Sequence, residues 1–339
     1  MKNTIKKLLS VILSAVTVFS LLTLPAHAII PGEDAYPEES TIVRYNFESG
    51  TTTPVEVPDF YSMNPGISTH DFLSESEIAQ ANNAIMPNEI IGDDNRITVN
   101  PTNAPYSGIV LIVRIVDIDG DGDADTIYDG TGFMVSSKIM ISAMHVFDDY
   151  DTTRPNATAI ETRIYQGVVS LAPFYGENPY DYLDAYLSEY SFKRVSNITY
   201  DTRYIAETRA GNYNIAYNYD WCVATLQSGI TGYYFDCQVP TMSINDMQLA
   251  VTGYPTDYSY LMKKATGYIY MFEVYGMPYL FKHTIDTMDG QSGAPVYNNA
   301  TNICYGIHVS GDWSGAPANC ARTITSDLLN ILLNEIANS

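Results

Sequence analysis

The chain has 339 residues, of which 39 are acidic and 17 are Lys or Arg, so its formal net charge is −22. A surface this acidic repels nucleic-acid backbones and anionic lipid, so neither a nucleic acid nor a membrane is expected as a partner. No segment after the N-terminal region approaches the ~18 consecutive apolar residues of a membrane span. We therefore expect a soluble monomer.

The N-terminus predicts export. Three lysines precede an apolar stretch at residues 8–24, and Ala-His-Ala follows at 26–28. A basic region, an apolar region and small residues at alternate positions are typical of a signal peptide, here residues 1–28. The working protein is then secreted and extracellular.

Residues 29–88 differ in composition from the rest of the chain. They hold ten acidic side chains against one arginine, with Pro, Ser, Thr and Asn throughout and only scattered apolar residues. Such a segment packs poorly by itself. We interpret it as a pro-segment, and we expect an activating protease as a partner.

After Asn88 the sequence consists of short runs rich in Val, Ile and Tyr, separated by Gly, Asn, Asp and Pro. This pattern is typical of an all-β sandwich or barrel, and about 250 such residues suit one large or two small barrels. The polar, Tyr-rich region 148–219 should contain strands joined by extended loops. The clearest runs cover residues 108–116, 132–136, 139–144 and 248–253.

One helix is predicted at residues 326–337. Leu and Ile recur there at helical spacing, and Asn330, Asn334 and Glu335 fall outside the apolar face, where they should meet solvent. Thr325 or the first helical residue provides the N-cap. A lone amphipathic helix of this kind packs on a barrel.

The four cysteines all lie in the C-terminal half of the chain. In an exported chain an even number suggests disulfides, and four cysteines allow three pairings. We expect Cys222 to pair with Cys237 and Cys304 with Cys320, because each pair closes a short loop. No Cys-x-x-Cys spacing indicates zinc.

Three segments supply the parts of an activated serine. Such a nucleophile needs a base to take its proton, and the base needs a carboxylate to fix its tautomer. Residues 132–145 read as two strands and a turn that end at His145, and Asp220 stands just before an apolar strand. Ser292 lies in Asp-Gly-Gln-Ser-Gly-Ala-Pro-Val, a glycine-rich turn. These residues are the predicted catalytic triad, and the reaction needs no cofactor.

The glycines beside Ser292 also predict an oxyanion hole. They allow the backbone N–H groups of Gly290 and Ser292 to point at the substrate's carbonyl oxygen, and each such donor is commonly worth about 3 to 4 kcal/mol. The Gly-x-Ser-x-Gly elbow of the α/β-hydrolases is absent.

With these motifs the chain resembles the chymotrypsin-like serine proteases, and within them the glutamyl endopeptidases. The resemblance spans about residues 89–337. It rests on Thr-Gly-Phe with Ser-Ala-Met-His, on Tyr-Asp-Trp, on Gly-Gln-Ser-Gly-Ala-Pro-Val and on residues 90–106, which resemble a mature start. It implies two six-stranded antiparallel β-barrels with the triad between them. The first barrel would be residues 89–232, and the second, with the C-terminal helix, residues 233–339.

The same resemblance implies cleavage of proteins or peptides after Glu, and less often after Asp. A histidine, a threonine and the new α-amino group bind the substrate carboxylate in that family. The matching groups here are His308, Thr287 and the amine of Glu89, if cleavage follows Asn88. Together they would satisfy a carboxylate that is costly to bury unpaired. The residues that would pair with the substrate backbone are Val309, Ser310 and Gly311.

Two alternatives stay open. Asp286 lies six residues before Ser292, where trypsins hold the acid that binds Lys or Arg, so cleavage after basic residues is one. The other is a catalytically silent protease fold that binds partners. Gln291 favours the glutamyl reading, because it has no charge with which to pair a new N-terminus as trypsin-type zymogens do.

Residues 117–125, Asp-Ile-Asp-Gly-Asp-Gly-Asp-Ala-Asp, resemble a calcium loop in their alternating carboxylates and their glycine at the sixth position. The twelfth position is Tyr128 instead of a bidentate acid. A structural calcium site and a solvated acidic turn both fit this pattern. The candidate ligands are Asp117, Asp119, Asp121, Asp123 and Asp125.

Overall fold

The structure of the chain is a computed structural model. It describes residues 41–74, 95–148, 157–172, 174, 176, 178–240, 247–258, 261–274, 277–311 and 319–339. The predicted signal peptide and Glu89 lie outside these residues. None of the helices in the described part of the chain has the length and apolarity of a membrane span.

Sixteen strands and five α-helices make up most of the described chain. The strands are β1 Ile42–Asn46, β2 Thr51–Pro54, β3 Ile97–Thr98, β4 Ile109–Asp117, β5 Thr126–Met134, β6 Ile139–Ser142, β7 Thr158–Gln166, β8 Phe192–Asp201, β9 Cys222–Leu226, β10 Leu249–Gly253, β11 Lys263–Gly267, β12 Ile269–Val274, β13 Met277–His283, β14 Pro295–Asn298, β15 Cys304–Ser310 and β16 Asn319–Thr323. The helices are α1 Phe60–Met63, α2 Pro179–Leu187, α3 Thr202–Arg209, α4 Tyr213–Ala216 and α5 Ser326–Ala337.

The first sheet contains a closed barrel. Its strand order is β2-β1-β8-β7-β4-β5-β6-β9, and an additional pairing of β8 with β9 closes the six strands β4–β9 on themselves. All the pairings are antiparallel, and every residue of the Val- and Ile-rich strand β4 is buried. The first predicted six-stranded barrel is therefore confirmed.

The second sheet has the strand order β12-β13-β16-β15-β14-β10-β11-β3. It contains eight described strands instead of the six predicted. One of them, β3, belongs to the range assigned to the first barrel, but it pairs with β11 of the second sheet. The predicted architecture, an all-β chymotrypsin-like fold with a C-terminal helix, is confirmed.

Residues 41–74, from the predicted pro-segment, are packed into the fold. Strand β1 pairs with β8 and with β2, which places both N-terminal strands in the first sheet. Five buried apolar side chains of this segment belong to the same apolar core as the barrel. They are Val43, Tyr45, Phe60, Ile67 and Leu73.

The predicted C-terminal helix is confirmed as α5, with the Thr325 side chain accepting the N–H of Leu328 as its N-cap. The expectation that its polar residues face solvent is wrong. Asn330, Asn334 and Glu335 are all buried, and residues 41–74 supply partners for two of them. The Tyr-rich region contains β7 and β8 as expected, but also helices α2, α3 and α4.

The predicted disulfides are wrong, because the four cysteines are buried free thiols. Cys222 in β9 lies inside the first barrel, where its thiol donates to the Ala143 carbonyl at 3.7 Å. Cys237 instead lies beside Cys304, in an isolated parallel bridge. Cys304 begins β15, whereas Cys320 pairs near the other end of that strand. Proximity along the chain therefore does not bring the expected pairs together.

Candidate active site

The first barrel brings His145 and Asp220 together. Strand β6 pairs with β9 so that Ser142 lies opposite Cys222, and His145 and Asp220 stand just beyond these strand ends. His145 occupies a 3₁₀ turn, and its Nδ1 lies 2.7 Å from Asp220 Oδ2. The backbone N–H of His145 donates to the other carboxylate oxygen at 2.9 Å. Both oxygens of a fully buried carboxylate thus hold one histidine.

This contact sets the protonation of His145. Burial lowers the pKa of the imidazole, but the charge of Asp220, its hydrogen bond and the charge of Asp148 together raise that pKa above its ordinary value. The side chain of His145 is 30% exposed, so its free edge is open to a reacting group. An imidazole held in this way is suited to accept a proton and to carry the resulting charge.

The turn that carries Ser292 is fixed to the first barrel. Thr131 in β5 donates its backbone N–H to Ser292 O and its hydroxyl to Gly290 O, both at 2.8 Å. Gly293 has φ +85°, and a Cβ there would lie 2.2 Å from Ser142 Oγ and 3.0 Å from the Ala143 nitrogen. Gly293, the residue after Ser292, therefore lies against the strand end that leads to His145.

The Ser292 hydroxyl makes no hydrogen bond with the His145 ring within the described part of the chain. Such bonds are often long before substrate binds and tighten in the complex. Among the described residues, the backbone N–H groups of Gly290 and Ser292 likewise have no acceptor, so both are free to bind an oxyanion. Gly290 has φ +87°, and a Cβ there would lie 2.4 Å from Tyr254 O, so the turn requires glycine.

His308 lies in β15 and is bonded to the residue that follows Ser292. Its carbonyl accepts the N–H of Gly293 at 2.8 Å, and its own N–H donates to Ala294 O at 2.8 Å. The residue is 3% exposed. Burial, with a smaller contribution from the charge of His145, lowers its pKa to about 3 although a backbone hydrogen bond with Cys320 opposes the shift. His308 is therefore neutral at neutral pH.

A second histidine, His283, stands behind His308. The two rings meet edge to face, with centroids 5.6 Å apart. His283 is fully buried, and burial together with the neighbouring His308 holds its pKa well below the ordinary value. The sequence does not single out this residue. Its one signal is its position as the last residue of β13, shortly before the turn that carries Ser292.

The remaining predicted substrate residues border the same region. Thr287 is partly exposed and follows Asp286, whose carboxylate accepts the backbone N–H of Asn95 at 3.2 Å. Strand β14 begins opposite Ile307, so the rest of β15 extends beyond that pairing. Of the residues predicted to bind the substrate backbone, Val309 and Ser310 lie there and Gly311 follows the end of the strand.

Comparison with known proteins identifies the type of enzyme. No protein-family model matches the chain. A glutamyl endopeptidase of Bacillus licheniformis is 27% identical over 256 residues, which cover 72% of this chain and 68% of that protein. A solved structure of a Glu endopeptidase in complex with MPD aligns with a TM-score of 0.53 at 19% identity, over 74% of this chain and 100% of that chain.

The chain is similar in sequence to a glutamyl endopeptidase and has the chymotrypsin fold, which together support a serine endopeptidase. A second relative, an extracellular metalloprotease of Bacillus subtilis, is 25% identical over 262 residues, which cover 76% of this chain and 72% of that protein. Its name raises the question of a metal. Within the described residues, one group of His, Cys, Asp or Glu side chains is close enough to hold an ion, and it consists of Asp117, Asp119 and Asp125.

That acidic group differs from the histidine-containing sets of catalytic zinc. Its ligand oxygens lie within 4.8 Å of one another, and the predicted ligands Asp121 and Asp123 are not part of it. The Asp117 carboxylate accepts the N–H groups of Gly120 at 2.6 Å and Gly122 at 2.8 Å, which hold the loop through its own backbone. Calcium binding by this protease-like chain stays a prediction.

Proposed function

We propose that the chain is a secreted endopeptidase that cuts proteins after Glu, and less often after Asp, through an acyl-enzyme on Ser292. The observation that carries the specificity is the buried, neutral His308, one hydrogen bond away from the residue that follows the nucleophile. A neutral imidazole that has no acidic partner among the described residues is suited to receive a carboxylate from a substrate.

The proposed reaction follows from the geometry of His145. Asp220 holds a proton on Nδ1, so Nε2 is free to take the proton of the Ser292 hydroxyl as the oxygen attacks the substrate carbonyl carbon. The N–H groups of Gly290 and Ser292 bind the oxyanion. His145 then gives its proton to the leaving amine, and water releases the acyl group by the same route in reverse.

The arrangement around His308 supports recognition of a carboxylate. A carboxylate placed beside a neutral buried imidazole raises the pKa of that imidazole, and the charge strengthens the hydrogen bond between the two groups. Thr287 would add a hydroxyl and the Glu89 amine a positive charge. Asn95 is bonded to Asp286, which precedes Thr287 in the chain. Six fully extended residues span about 20 Å, so the Glu89 amine can lie at most that far from Asn95.

The contact between Asn95 and Asp286 also weighs against cleavage after Lys or Arg. In that alternative the Asp286 carboxylate would be the ligand of a basic side chain in the substrate pocket. Here one of its oxygens is occupied by a backbone N–H of the protein. No other predicted site residue is proposed to bind a substrate Lys or Arg side chain.

The test is hydrolysis of three matched peptides that differ only before the cut, with Glu, Gln or Lys at that position. We expect the Glu peptide to be cut at least about 100-fold faster than its uncharged isostere, because the site would lose a buried charged hydrogen bond with Gln. Faster cutting of the Lys peptide would instead support the alternative that uses Asp286.

Two controls separate the reaction from the specificity. Ser292→Ala should abolish hydrolysis of all three peptides, and equal rates in the variant would overturn the mechanism. A fluorophosphonate should label Ser292 in the active protein only, since only an activated serine reacts quickly. Failure of that label would favour the silent, partner-binding alternative.

Processing is tested by sequencing the N-terminus of the secreted protein. Residue 29 alone should be found if only the signal peptide is removed, and Glu89 should appear as an N-terminus if an activating protease also cuts after Asn88. An enzyme that stays uncut between 88 and 89 should have little activity on the Glu peptide, because the proposed amine is then part of a peptide bond. Full activity of the uncut protein would contradict the role of that amine.

A further inference from the structure

We infer that residues 41–74 are a permanent structural part of the protease and stay bound, without a covalent link, after the chain is cut between residues 75 and 94. The inference rests on the proposed processing only for the existence of a natural cut. Both the bound segment, residues 41–74, and the surface that binds it belong to the described part of the chain. The surface consists of one edge of β8, the polar face of α5, and residues 234–237.

The edge of β8 needs β1 as a partner. Strand β7 pairs with only Phe192–Arg194 on this edge, whereas β1 pairs with Asn197–Asp201. Further bonds extend the contact at both ends, from Phe47 N to Ser196 O at 2.9 Å and from Thr202 N to Thr41 O at 2.7 Å. Without β1, this part of a barrel strand would be an open edge that invites pairing with other chains.

The polar face of α5 is matched to the segment. Arg44 Nη2 lies 2.6 Å from the buried carboxylate of Glu335. Asn330 accepts the backbone N–H of Tyr61 at 2.8 Å and donates to Asp59 Oδ1 at 3.0 Å. A helix in a barrel that could shed this segment would place such residues in solvent, whereas here they are buried with specific partners.

A third contact ties the segment to the connection between the two sheets. The Thr69 hydroxyl donates to Phe235 O at 3.1 Å and accepts the N–H of Cys237 at 2.8 Å. The ring of His70 bonds to Tyr234 O at 2.8 Å. Thr69 is fully buried, so its loss would leave backbone groups of residues 235 and 237 without these partners.

These three contacts differ from those of an inhibitor that plugs an active site. They attach the segment to strand β8, to helix α5 and to residues 234–237. The apolar side chains of the segment share one core with the first barrel. A cut in the chain between residues 75 and 94 breaks none of them. Freeing Glu89 and retaining residues 41–74 are therefore compatible.

The experiment uses the full chain with Ser292→Ala, which prevents self-digestion and makes the result independent of cleavage specificity. A recognition sequence for a site-specific protease replaces residues 80–86, and the purified protein is cut there. We expect one complex of both fragments in native mass spectrometry and size exclusion, and two separate fragments in denaturant. Release of the N-terminal fragment from a body that stays folded would overturn the inference.

A matched pair of variants locates the contact. Thr69→Val removes the hydroxyl that makes both buried bonds, and we expect the N-terminal fragment to dissociate about tenfold faster or more. Thr53→Val makes the same change on exposed β2 and should leave dissociation unchanged. Equal release rates in the two variants would contradict the assigned surface.

Hydrogen exchange gives a readout that needs no variant at Thr69. In the cut protein the β1 amides that bond to β8 should stay protected together with the barrel. If those amides exchange fully while the β8–β9 amides remain protected, the segment has left and the inference fails.

Discussion

His145 and His308 each lie against another titratable side chain, and the two resulting pairs have opposite electrostatics. In the first barrel His145 is joined to the carboxylate of Asp220, whose charge raises the histidine pKa against the effect of burial. In the second sheet His308 meets another imidazole, His283, and burial lowers the pKa of both. The same side chain is thus prepared for charge in one place and kept neutral in the other.

The two pairs differ in the source of the negative charge that would stabilise a protonated histidine. His145 has a carboxylate built into the protein, so it is ready to become an imidazolium during the reaction. Within the described residues no carboxylate contributes to the pKa shift of His308, and the proposed substrate would bring one. A site that obtains its counter-charge from the substrate discriminates strongly against uncharged analogues, since these leave its polar groups unpaired.

The largest expected effect comes from breaking the first pair. In Asp220→Asn the amide no longer stabilises the charged ring or fixes its tautomer, so kcat on the Glu peptide should fall about 10⁴-fold. The acid limb of the pH–rate profile should move to lower pH, because the charge of Asp220 raises the pKa of His145 in the wild-type protein. Steady-state kinetics from pH 5 to 9 measures both.

Asp148→Asn is the control for that variant. Asp148 also raises the pKa of His145 through its charge, but its carboxylate is paired with Arg209 at 3.4 Å and does not hold the ring. A modest loss of rate is expected. A similar loss in both variants would mean that net charge, and not the contact between Asp220 and Nδ1, supports the reaction.

Breaking the second pair should alter selectivity more than reactivity. In His308→Gln the ratio of kcat/KM for the Glu and Gln peptides should fall at least about 30-fold, equivalent to about 2 kcal/mol, because a buried donor to the carboxylate is changed. Labelling of Ser292 by a fluorophosphonate should continue. His70→Gln, at a histidine bonded to Tyr234 O, should leave the ratio unchanged. An unaltered ratio in His308→Gln would refute its proposed role.

The smallest expected effect is on stability in acid. His283 and His308 resist protonation in the folded state, whereas the unfolded chain takes up these protons below about pH 6.5. Their contribution to the free energy of unfolding is therefore fully present above that pH and is lost as pH falls toward about 3, the pKa of His308.

Denaturant unfolding at pH 7 and pH 4.5 checks this in the Ser292→Ala background. Removing one titrating imidazole in His283→Leu should reduce the loss of stability by up to about 1.4 kcal/mol per pH unit. If the wild-type residue and Leu give the same pH dependence, His283 is protonated in the folded protein and the contrast between the two pairs fails.

Local pattern predicted much of this arrangement. His145, Asp220 and Ser292 each stand at a strand end or a tight turn, where the sequence itself limits the backbone. The helix α5 was likewise readable from its spacing, to the residue. The burial of its polar face was not, because that depends on Arg44 and Asp59, far away in the chain.

The cysteine pairing and the role of His283 could not be predicted from the sequence, for the same reason. Cys237 lies beside Cys304 only because a segment between the sheets runs along the start of β15, which no local spacing encodes. His283 is a strand residue without a motif, and its meaning comes from the ring of His308 packed against it. Long-range contacts of this kind require the fold.

The two hydrogen bonds of Thr131 limit how the Ser292 turn can move. Through one backbone and one side-chain bond it holds the carbonyls on both sides of the nucleophile, although it belongs to the opposite half of the molecule. A hinge opening between the halves would pull on the reactive serine itself. The two bonds from Thr131 therefore couple the position of the Ser292 turn to strand β5 of the first barrel.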